Sequence, residues 1–423
     1  MKAATYWPLF TTLFALGTED FARAEEAAAI DVVPIFQLRP RAEKSFAGPI
    51  GVPRSPTDLV GADEFRITQR TRVGLLGKMG PVGAQIVMQD VRAWGSEANT
   101  LMDFSADSFD MHEAFFEVGS GELKLRGGRQ EVNLDGQRLM GSVDWTQQGR
   151  SFDGLRLMFK SGIFGGNVFW SRQADGGNHD LFVLNPAFSL GSVSLSVPLF
   201  LQTNDFIKRS ERGMGREARW TRFTGGAYVK GEGDLAWRIE SYLQAGQDNN
   251  LTEKDILAFM VGARIGYKVA SALYPTLWLD FLSGDGDPAD ETYSTFDTLF
   301  ATNHKFYGLM DRFLAIPGHT RGGGLVDLAI KNDASVGPGK LHLALHQFIT
   351  PSDDRTQRSG ALGFEIDLIY TVAISKNAAL QGGMGLFFDQ GDYKDEREAY
   401  QLMTGVEQDT FHDWWYLQLD VKL

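Results

Sequence analysis

The sequence predicts an all-β protein: a transmembrane antiparallel β-barrel of about 18 strands, with short periplasmic turns and long extracellular loops. Three observations lead to this prediction. Segments of strand length alternate polar and apolar residues, connectors alternate between short and long, and no long apolar run follows residue 24. A tilted strand of about ten residues crosses a bilayer, whereas a helix needs about twenty mostly apolar residues.

The first 24 residues have the features of an export signal. Lys2 is followed by an apolar stretch through Leu16 and then by the triplet Ala22-Arg23-Ala24. A charged start, an apolar middle and a small-residue cleavage site characterise a secretory signal peptide. We therefore predict a signal peptide over residues 1–24, with a membrane anchor as the weaker alternative, and a barrel over residues 25–423.

Period-two alternation is the main evidence for strands. The segment EFRITQRTRVGLL places Arg66, Arg70 and Arg72 on one face and mostly apolar side chains on the other. The chain ends on WWYLQLDVKL, an alternating strand that runs to the last residue, Leu423. Such a final strand is expected to pair with the first strand, because closure removes the unpaired edges of the sheet.

The connectors predict the strand count. Eight short and nine long connectors, rich in Gly, Pro, Asn and Ser, separate the strand-like segments. This pattern predicts eighteen strands and places both chain ends at the periplasmic side. The longest connector, over 284–320, is rich in Phe and Tyr, and we expect it to fold over the outer mouth or into the lumen.

Tryptophans near the predicted strand ends are expected to form an interfacial girdle, because amphipathic rings favour the headgroup region. The candidates are Trp94, Trp170, Trp220, Trp278, Trp414 and Trp415.

Composition excludes several classes of function. The chain has no cysteine, which rules out disulfides and cysteine chemistry, and its net charge of -13 disfavours nucleic acid as a partner. Neither G-x-S-x-G, nor a P-loop, nor H-E-x-x-H occurs. We therefore predict that the protein is not an enzyme and needs no cofactor.

Arginine is unusually frequent on the polar faces of the predicted strands. Arg39 and Arg41 share one face, and Arg66, Arg70 and Arg72 share the next. Since arginine stays charged and matches carboxylates, a lumen lined this way would attract anions. In the alternative interpretation, the arginines pair with acidic residues and only stiffen a polar interior. The acidic candidates for this pairing are Asp90, Glu113, Asp144 and Asp153.

Several stretches resemble a known family. These are QRTRVGLL, MQDVRAW, HEAFFEV, LRGGRQEVNLDGQRLMGSVDWTQQGRSFDGLRL and FLSGDGDPADETYSTFDTLFATNHKFYGLMD, and they are similar in order and spacing to the alginate-export outer-membrane porins. The resemblance covers nearly the whole mature chain and is most specific between Gly128 and Asp153. It implies an eighteen-stranded barrel with an arginine-rich passage for a polyuronate.

The resemblance also implies lumen positions for eight residues: Arg70, Arg72, Asp90, Arg92, Arg129, Arg138, Arg150 and Arg156. Simple alternation, however, points Asp90, Arg92 and Arg129 outward. Either a bulge near Gly127-Gly128 shifts the register, or these residues lie above the membrane. The complete set of candidate substrate-binding residues in the lumen is Arg39, Arg41, Arg66, Arg70, Arg72, Asp90, Arg92, Arg129, Arg138, Arg150, Asp153 and Arg156.

Metal binding is a weak prediction. Asp285, Asp287 and Asp290 cluster in DGDPADE and could offer oxygen ligands to calcium, but the spacing is not that of an EF-hand. A plain acidic loop is the favoured alternative.

The sequence therefore predicts a channel of the bacterial outer membrane. It would passively pass an anionic polysaccharide or oligosaccharide, an alginate-like polyuronate, through an arginine-lined lumen. Its expected partners are this cargo and outer-membrane lipid. Periplasmic export proteins are further candidate partners. The alternatives are a general small-anion or nutrient porin and an outer-membrane hydrolase with a Ser/His/Asp set.

Overall fold

In the computed structural model of this protein, the described residues are 30–46, 64–95, 109–173, 178–209, 215–248, 254–270, 273–287, 289–352, 360–390 and 411–423. The predicted signal peptide lies outside them. Among the described residues, no helix is both long enough and apolar enough to cross a bilayer.

The described strands form one sheet. In chain order they are β1 (Asp31–Phe46), β2 (Glu64–Met79), β3 (Val82–Ala93), β4 (Phe109–Ser120), β5 (Leu123–Gln130), β6 (Phe152–Ser161), β7 (Phe164–Gln173), β8 (Asn178–Leu190), β9 (Val193–Ser196), β10 (Leu199–Arg209), β11 (Gly215–Gly231), β12 (Leu235–Asp248), β13 (Lys254–Tyr267), β14 (Leu273–Leu282), β15 (Thr292–Tyr293), β16 (Leu325–Val336), β17 (Gly339–Thr350), β18 (Gly360–Ser375), β19 (Ala378–Asp389) and β20 (Phe411–Lys422).

Within the described chain, these elements make a closed antiparallel barrel of 18 strands, as predicted. β9 and β10 lie end to end as one barrel strand, and β15 is a two-residue segment beside β13. The last strand closes the barrel against the first: Phe36 and Leu423 exchange two backbone hydrogen bonds, with N···O distances of 3.2 and 3.0 Å. Closure leaves no exposed sheet edge among the described strands.

The connectors sort to the two ends of the barrel. Eight connectors of two to five residues lie at the end that holds β1's first residue and β20's last, which we call the turn end. Nine connectors lie at the other end, which we call the loop end, and they include segments 131–151 and 283–324. The predicted alternation of short and long connectors is confirmed.

Period-two alternation separates an outer apolar face from an inner polar face. From Lys254 to Gly262, β13 alternates between buried and exposed residues without a break. The exposed members include Leu257, Phe259 and Val261, which are 56%, 46% and 43% exposed. Large apolar side chains exposed around a closed barrel are suited to contact with lipid tails.

The core of the molecule lies inside the barrel, where two loops pack against the inner wall. The 131–151 loop contributes Val132 and Met140, and the 283–324 loop contributes Phe296, Phe306 and Phe313, all at most 1% exposed. The long connector predicted over 284–320 therefore folds into the lumen. Aromatic side chains bury large areas, so these contacts hold both loops in place.

The predicted tryptophan girdle is correct in part. Trp94 and Trp415 are 57% and 47% exposed on the outer face, as a girdle requires. Trp278 and Trp414 instead face the lumen, where Trp278 packs against cations and Trp414 against Trp145. The prediction was wrong for these two because position near a strand end does not fix the face.

Candidate functional site

Four arginines form a row on the inner face of the first two strands. Arg39 and Arg41 on β1 lie beside Arg70 and Arg72 on β2, and Arg39 is directly opposite Arg70 in the strand register. All four are at most 9% exposed. We call this set the arginine row. Like charges placed opposite each other repel, so the row needs counter-charges to be stable.

Asp144 of the 131–151 loop supplies the main counter-charge. Its Oδ1 accepts a hydrogen bond of 2.7 Å from Arg70 Nη2, and its carboxylate lies 3.8 Å from Arg72 and 3.9 Å from Arg39. Burial would raise the pKa of Asp144, but the positive charges of Arg70 and Arg39 outweigh it and hold that pKa below its usual value. The side chain nevertheless stays 54% exposed.

Backbone carbonyls of the same loop take up further donors of the row. Arg39 donates to the carbonyls of Asp144 and Thr146, both at 2.7 Å, and Arg41 donates to that of Trp145 at 2.9 Å. Gly149 adopts φ +70°, and a Cβ there would come within 2.7 Å of Arg72 Nη2. Glycine at this position therefore lets the loop close over the row.

A second anchor, at Arg138, fixes the 131–151 loop to the part of the wall formed by β12 and β14. Arg138 donates to Glu240 at 2.9 Å and to the Tyr307 hydroxyl at 3.0 Å, and it forms an ion pair with Asp280 at 2.9 Å. Arg138, Glu240 and Asp280 are at most 1% exposed. Burial would lower the pKa of Arg138, but the carboxylates of Asp280 and Glu240 outweigh it and raise that pKa.

The two inward loops are bonded to each other. Arg150 donates through Nη1 to the carbonyls of Phe300 and Ala301, and the Gly141 N–H donates to the Phe300 carbonyl at 2.8 Å. Burial lowers the pKa of Arg150 to about 10. The two inward loops therefore form one bonded unit.

The 283–324 loop is also held by carboxylates of the wall. The N–H groups of Leu309 and Met310 donate to Asp367 at 3.1 Å and to Glu365 at 2.9 Å. Gly308 adopts φ +83°, and a Cβ there would meet the Glu365 carboxylate. This brings the loop tip against β18 and fixes its depth in the lumen.

A ring of aromatic and cationic groups narrows the remaining passage. Trp145 stacks on His304 with a centroid distance of 4.2 Å and an interplanar angle of 7°. Arg41 covers Trp145 at 4.3 Å, and Tyr416 meets its edge at 4.9 Å. We call these four residues the constriction.

Two cavities meet at the constriction. The loop-end cavity has a volume of about 450 Å³, and the turn-end cavity has a volume of about 800 Å³. Trp145 lines both of them. The described structure therefore has one cavity on each side of the constriction, and we call these cavities the loop-end vestibule and the turn-end vestibule.

Two other predicted residues also face the lumen. Arg66 is half-exposed at the loop end and contacts Glu43 at 3.3 Å. Arg156 donates through Nε and Nη2 to Asn167 Oδ1, at 2.9 and 2.7 Å. With the arginine row, Arg138 and Arg150, eight of the twelve predicted residues lie on the inner face or in the inward loops.

The strand register places the other four predicted residues at outward positions, which corrects the lumen assignment of Asp90, Arg129 and Asp153. Arg92, also at an outward position, still borders the loop-end cavity. Asp90 and Arg92 pair with each other at 2.7 Å, and Arg129 pairs with Asp153 at 3.0 Å. β5 pairs with both neighbours without a register shift, so nothing turns Arg129 inward. A shift does occur between β3 and β4, at Val87, but β2 and β3 stay in register, which keeps Asp90 and Arg92 outward.

The acidic segment predicted as a weak calcium candidate does not gather around one point. The Asp287 N–H donates to Asp285 at 3.2 Å, while Asp290 lies 3.7 Å from Lys254 Nζ. Among the described residues, no group of three acidic or histidine side chains is arranged to hold a metal ion.

Sequence reasoning missed the wall carboxylates and the constriction. Glu240 and Asp280 occupy inward positions of alternating strands, so the alternation alone could have suggested them. Trp145 and His304 lie on loops, where no periodicity indicates direction. Asp144 was named as one pairing acid among four, and its contact with the row needed the folded loop.

The sequence profile of the family described as "Alginate export" matches residues 53–314. No curated protein matches the chain. Both the family and the fold are those of outer-membrane channels.

Solved structures with a similar fold are outer-membrane proteins. OpdK from Pseudomonas aeruginosa has a TM-score of 0.60 at 9% identity, covering 93% of this chain and 98% of its own. OccAB1 from Acinetobacter baumannii has a TM-score of 0.59 at 12% identity, covering 95% and 98%. A structure of OpdK with vanillate has a TM-score of 0.57 at 9% identity, covering 92% and 98%.

Proposed function

The chain belongs to the alginate export family, and from this premise we propose that it passes an anionic polysaccharide or oligosaccharide, an alginate-like polyuronate, passively through its lumen. It is a channel-type barrel of the bacterial outer membrane. By the usual orientation of such barrels, the turn end faces the periplasm and the loop end faces outward.

The observation that carries the proposal is the seating of Asp144 on the arginine row. A carboxylate reaches within 3.9 Å of three guanidinium groups there and remains 54% exposed to solvent. A uronate offers the same functional group. Arginine binds it through a planar pair of donors, so the row can bind a cargo carboxylate as it binds Asp144.

Passage of a chain rather than single ions follows from the spacing of the cations. The cations form a file along the barrel axis. It consists of the arginine row, whose member Arg41 reaches the constriction, and of Arg66 at the loop end. Several weak contacts on one polymer add through effective concentration. No single contact has to be strong, so the polymer can also leave.

The constriction means that the described conformation is closed to a polymer. The 131–151 loop occupies the donors that the cargo would use, and Trp145 fills the space between the two vestibules. Cargo carboxylates therefore have to displace Asp144 and its neighbouring carbonyls. This exchange changes the electrostatic free energy little, because a cargo carboxylate replaces the Asp144 carboxylate and the arginines stay paired throughout.

The test is block of ion current in planar bilayers. We expect oligouronates to block far better than monomeric uronate at equal carboxylate concentration, and the block to weaken as salt rises. Neutral oligosaccharides of equal length are the control for simple obstruction. Equal block by monomer and oligomer, or no block by either, contradicts the proposal.

A small-anion channel is the second candidate. The packed lumen favours it, since the vestibules of about 450 and 800 Å³ suit small ligands better than a long polymer. The similar protein OpdK was solved with vanillate, a small aromatic ligand. Equal block by monomer and oligomer in the test above would favour this candidate.

A further inference from the structure

The turn-end vestibule is lined by lysines rather than arginines. Lys268 follows β13, Lys305 lies in the 283–324 loop and Lys340 is near the start of β17, and all three are exposed. They converge on the cavity of about 800 Å³. We call them the vestibule lysines. No sequence pattern links them, because they come from three distant parts of the chain.

The carboxylates that line the same cavity are engaged by other groups. Asp333 contacts His342 Nδ1 at 2.8 Å, and Asp367 accepts the Leu309 N–H at 3.1 Å. Lys305 Nζ donates to a backbone carbonyl, that of Gly136, at 3.2 Å. The vestibule lysines therefore retain capacity for an added anion.

Three cations around Trp278 add further positive charge, and one of them, Lys331, also lines the cavity. Arg238, Arg264 and Lys331 pack against the ring of Trp278, at 4.6, 5.3 and 4.5 Å from its centroid. Partial enclosure of Lys305, and then the positive charges of Arg238 and Arg264, lower the pKa of Lys305. An anion bound beside Lys305 would offset this repulsion.

Aromatic surface is available at the same place. The stacked rings of Trp145 and His304, which belong to the constriction, lie at the inner limit of the vestibule. Tyr274 lies on the wall of the vestibule. Flat rings with polar edges suit the mixed apolar and polar faces of a sugar ring. The cavity volume lies within the usual range of ligand sites, about 300–1,000 Å³.

We propose that the turn-end vestibule is a loading site for a short anionic oligosaccharide segment, in which Lys268, Lys305 and Lys340 bind its carboxylates before they reach the arginine row. This inference rests on the proposed function and adds that the cargo is first bound at the turn end, which faces the periplasm. Lysine is a compact, strongly hydrated charge on a flexible stem, so it releases a carboxylate more readily than a bidentate arginine. A weak site followed by a stronger one favours movement inward.

The experiment uses the full-length channel in planar bilayers with a known orientation. The chain has no cysteine, so a single Lys376→Cys change at the turn end gives a label that identifies the periplasmic chamber. The triple variant Lys268→Gln/Lys305→Gln/Lys340→Gln is compared with the parent channel. Lys78→Gln, an exposed lysine at the turn end of β2 that does not line the cavity, is the matched control.

An oligouronate is added to one chamber at a time. In the triple variant we expect block from the periplasmic chamber to weaken about tenfold, through loss of three linked exposed contacts. Block from the other chamber, and both blocks in Lys78→Gln, should change less than about twofold, because distant exposed charges are screened. Heat-modifiable gel migration and β-dominated circular dichroism verify folding of each variant.

Two results overturn the inference while the proposed function stands: the triple variant is blocked like the parent, or its block weakens equally from both sides. A parent channel that oligouronate blocks from neither side overturns the proposed function, and the loading site with it.

Discussion

Two positions of the 131–151 loop, Asp144 and Arg138, are held to the barrel in opposite ways. At the arginine row, the wall supplies the cations and the loop supplies Asp144, whose side chain is 54% exposed. At Arg138 the loop supplies the cation, and the wall supplies Glu240 and Asp280, all at most 1% exposed. The first contact is open to competition by a dissolved carboxylate, whereas the second is sealed from solvent. The loop therefore has one permanent anchor and one exchangeable contact.

This difference has a physical origin in solvation. A buried ion pair that loses one partner leaves an uncompensated charge, which is strongly destabilising. The half-exposed Asp144 carboxylate can be rehydrated when it leaves, so its release costs less provided that another anion replaces it on the buried arginine row. Gating by movement of the loop is accordingly expected at Asp144 and not at Arg138.

The largest expected effect is that of Arg138→Met. The change leaves Glu240 and Asp280 buried without their cation, and we expect the free energy of unfolding to fall by about 3–5 kcal/mol. Unfolding by urea in detergent micelles, followed by tryptophan fluorescence, measures this. Arg264→Met is the matched control, because that arginine is half-buried over Trp278 on a neighbouring strand. Equal losses in the two variants would remove the distinction between a permanent anchor and an ordinary contact.

Asp144→Asn should act on conduction more than on stability. Loss of the carboxylate leaves the arginine row undercompensated and weakens the exchangeable contact. We expect a higher open probability and a larger anion preference in reversal-potential measurements. The stability loss should be smaller than that of Arg138→Met, because carbonyls of the loop still accept hydrogen bonds from Arg39 and Arg41. A variant that conducts and selects like the parent would show that Asp144 does not hold the loop.

The same contact predicts a pH dependence. The pKa of Asp144 is lower when it is seated on the row than when it is free. The stabilisation of the closed loop is thus fully present above the usual aspartate pKa of about 3.9 and is lost as pH falls through the lowered value. The open probability of parent channels should therefore rise as pH falls below about 3.9, and Asp144→Asn should lack this rise in conductance titrations.

The smallest expected effect is that of Arg129→Ala. Arg129 and Asp153 pair on the outer face, where exposed ion pairs contribute about 0.2–1 kcal/mol. We expect anion preference and block by oligouronate to stay at parent values. Arg70→Ala, on the inner face, should change both in the same assays. A clear effect of Arg129→Ala would place this pair in the passage after all.

The strand count, the closure and the faces of the strands could be predicted from the sequence. Every second residue of each strand contacts lipid, so apolar residues must alternate with polar ones along the sequence of each strand. The inner positions of Arg39, Arg41, Arg70 and Arg72 follow from that pattern. Asp90, Arg129 and Asp153 are the failures. For Asp90 and Arg129 the plain alternation pointed outward while the family resemblance implied the lumen, and Asp153 was expected in the lumen as a counter-charge to neighbouring arginines.

The sequence alone thus determined a barrel with cations on part of its inner face, because local periodicity and turn residues act over a few residues. Only the tertiary structure decided which cations are engaged. Loops without periodicity bring Asp144 to the arginine row, Arg138 to Glu240 and the vestibule lysines to one cavity. These contacts join residues up to 169 positions apart, as for Arg138 and Tyr307. Their partners are chosen by how the loops pack inside a closed wall, and no local pattern encodes that packing.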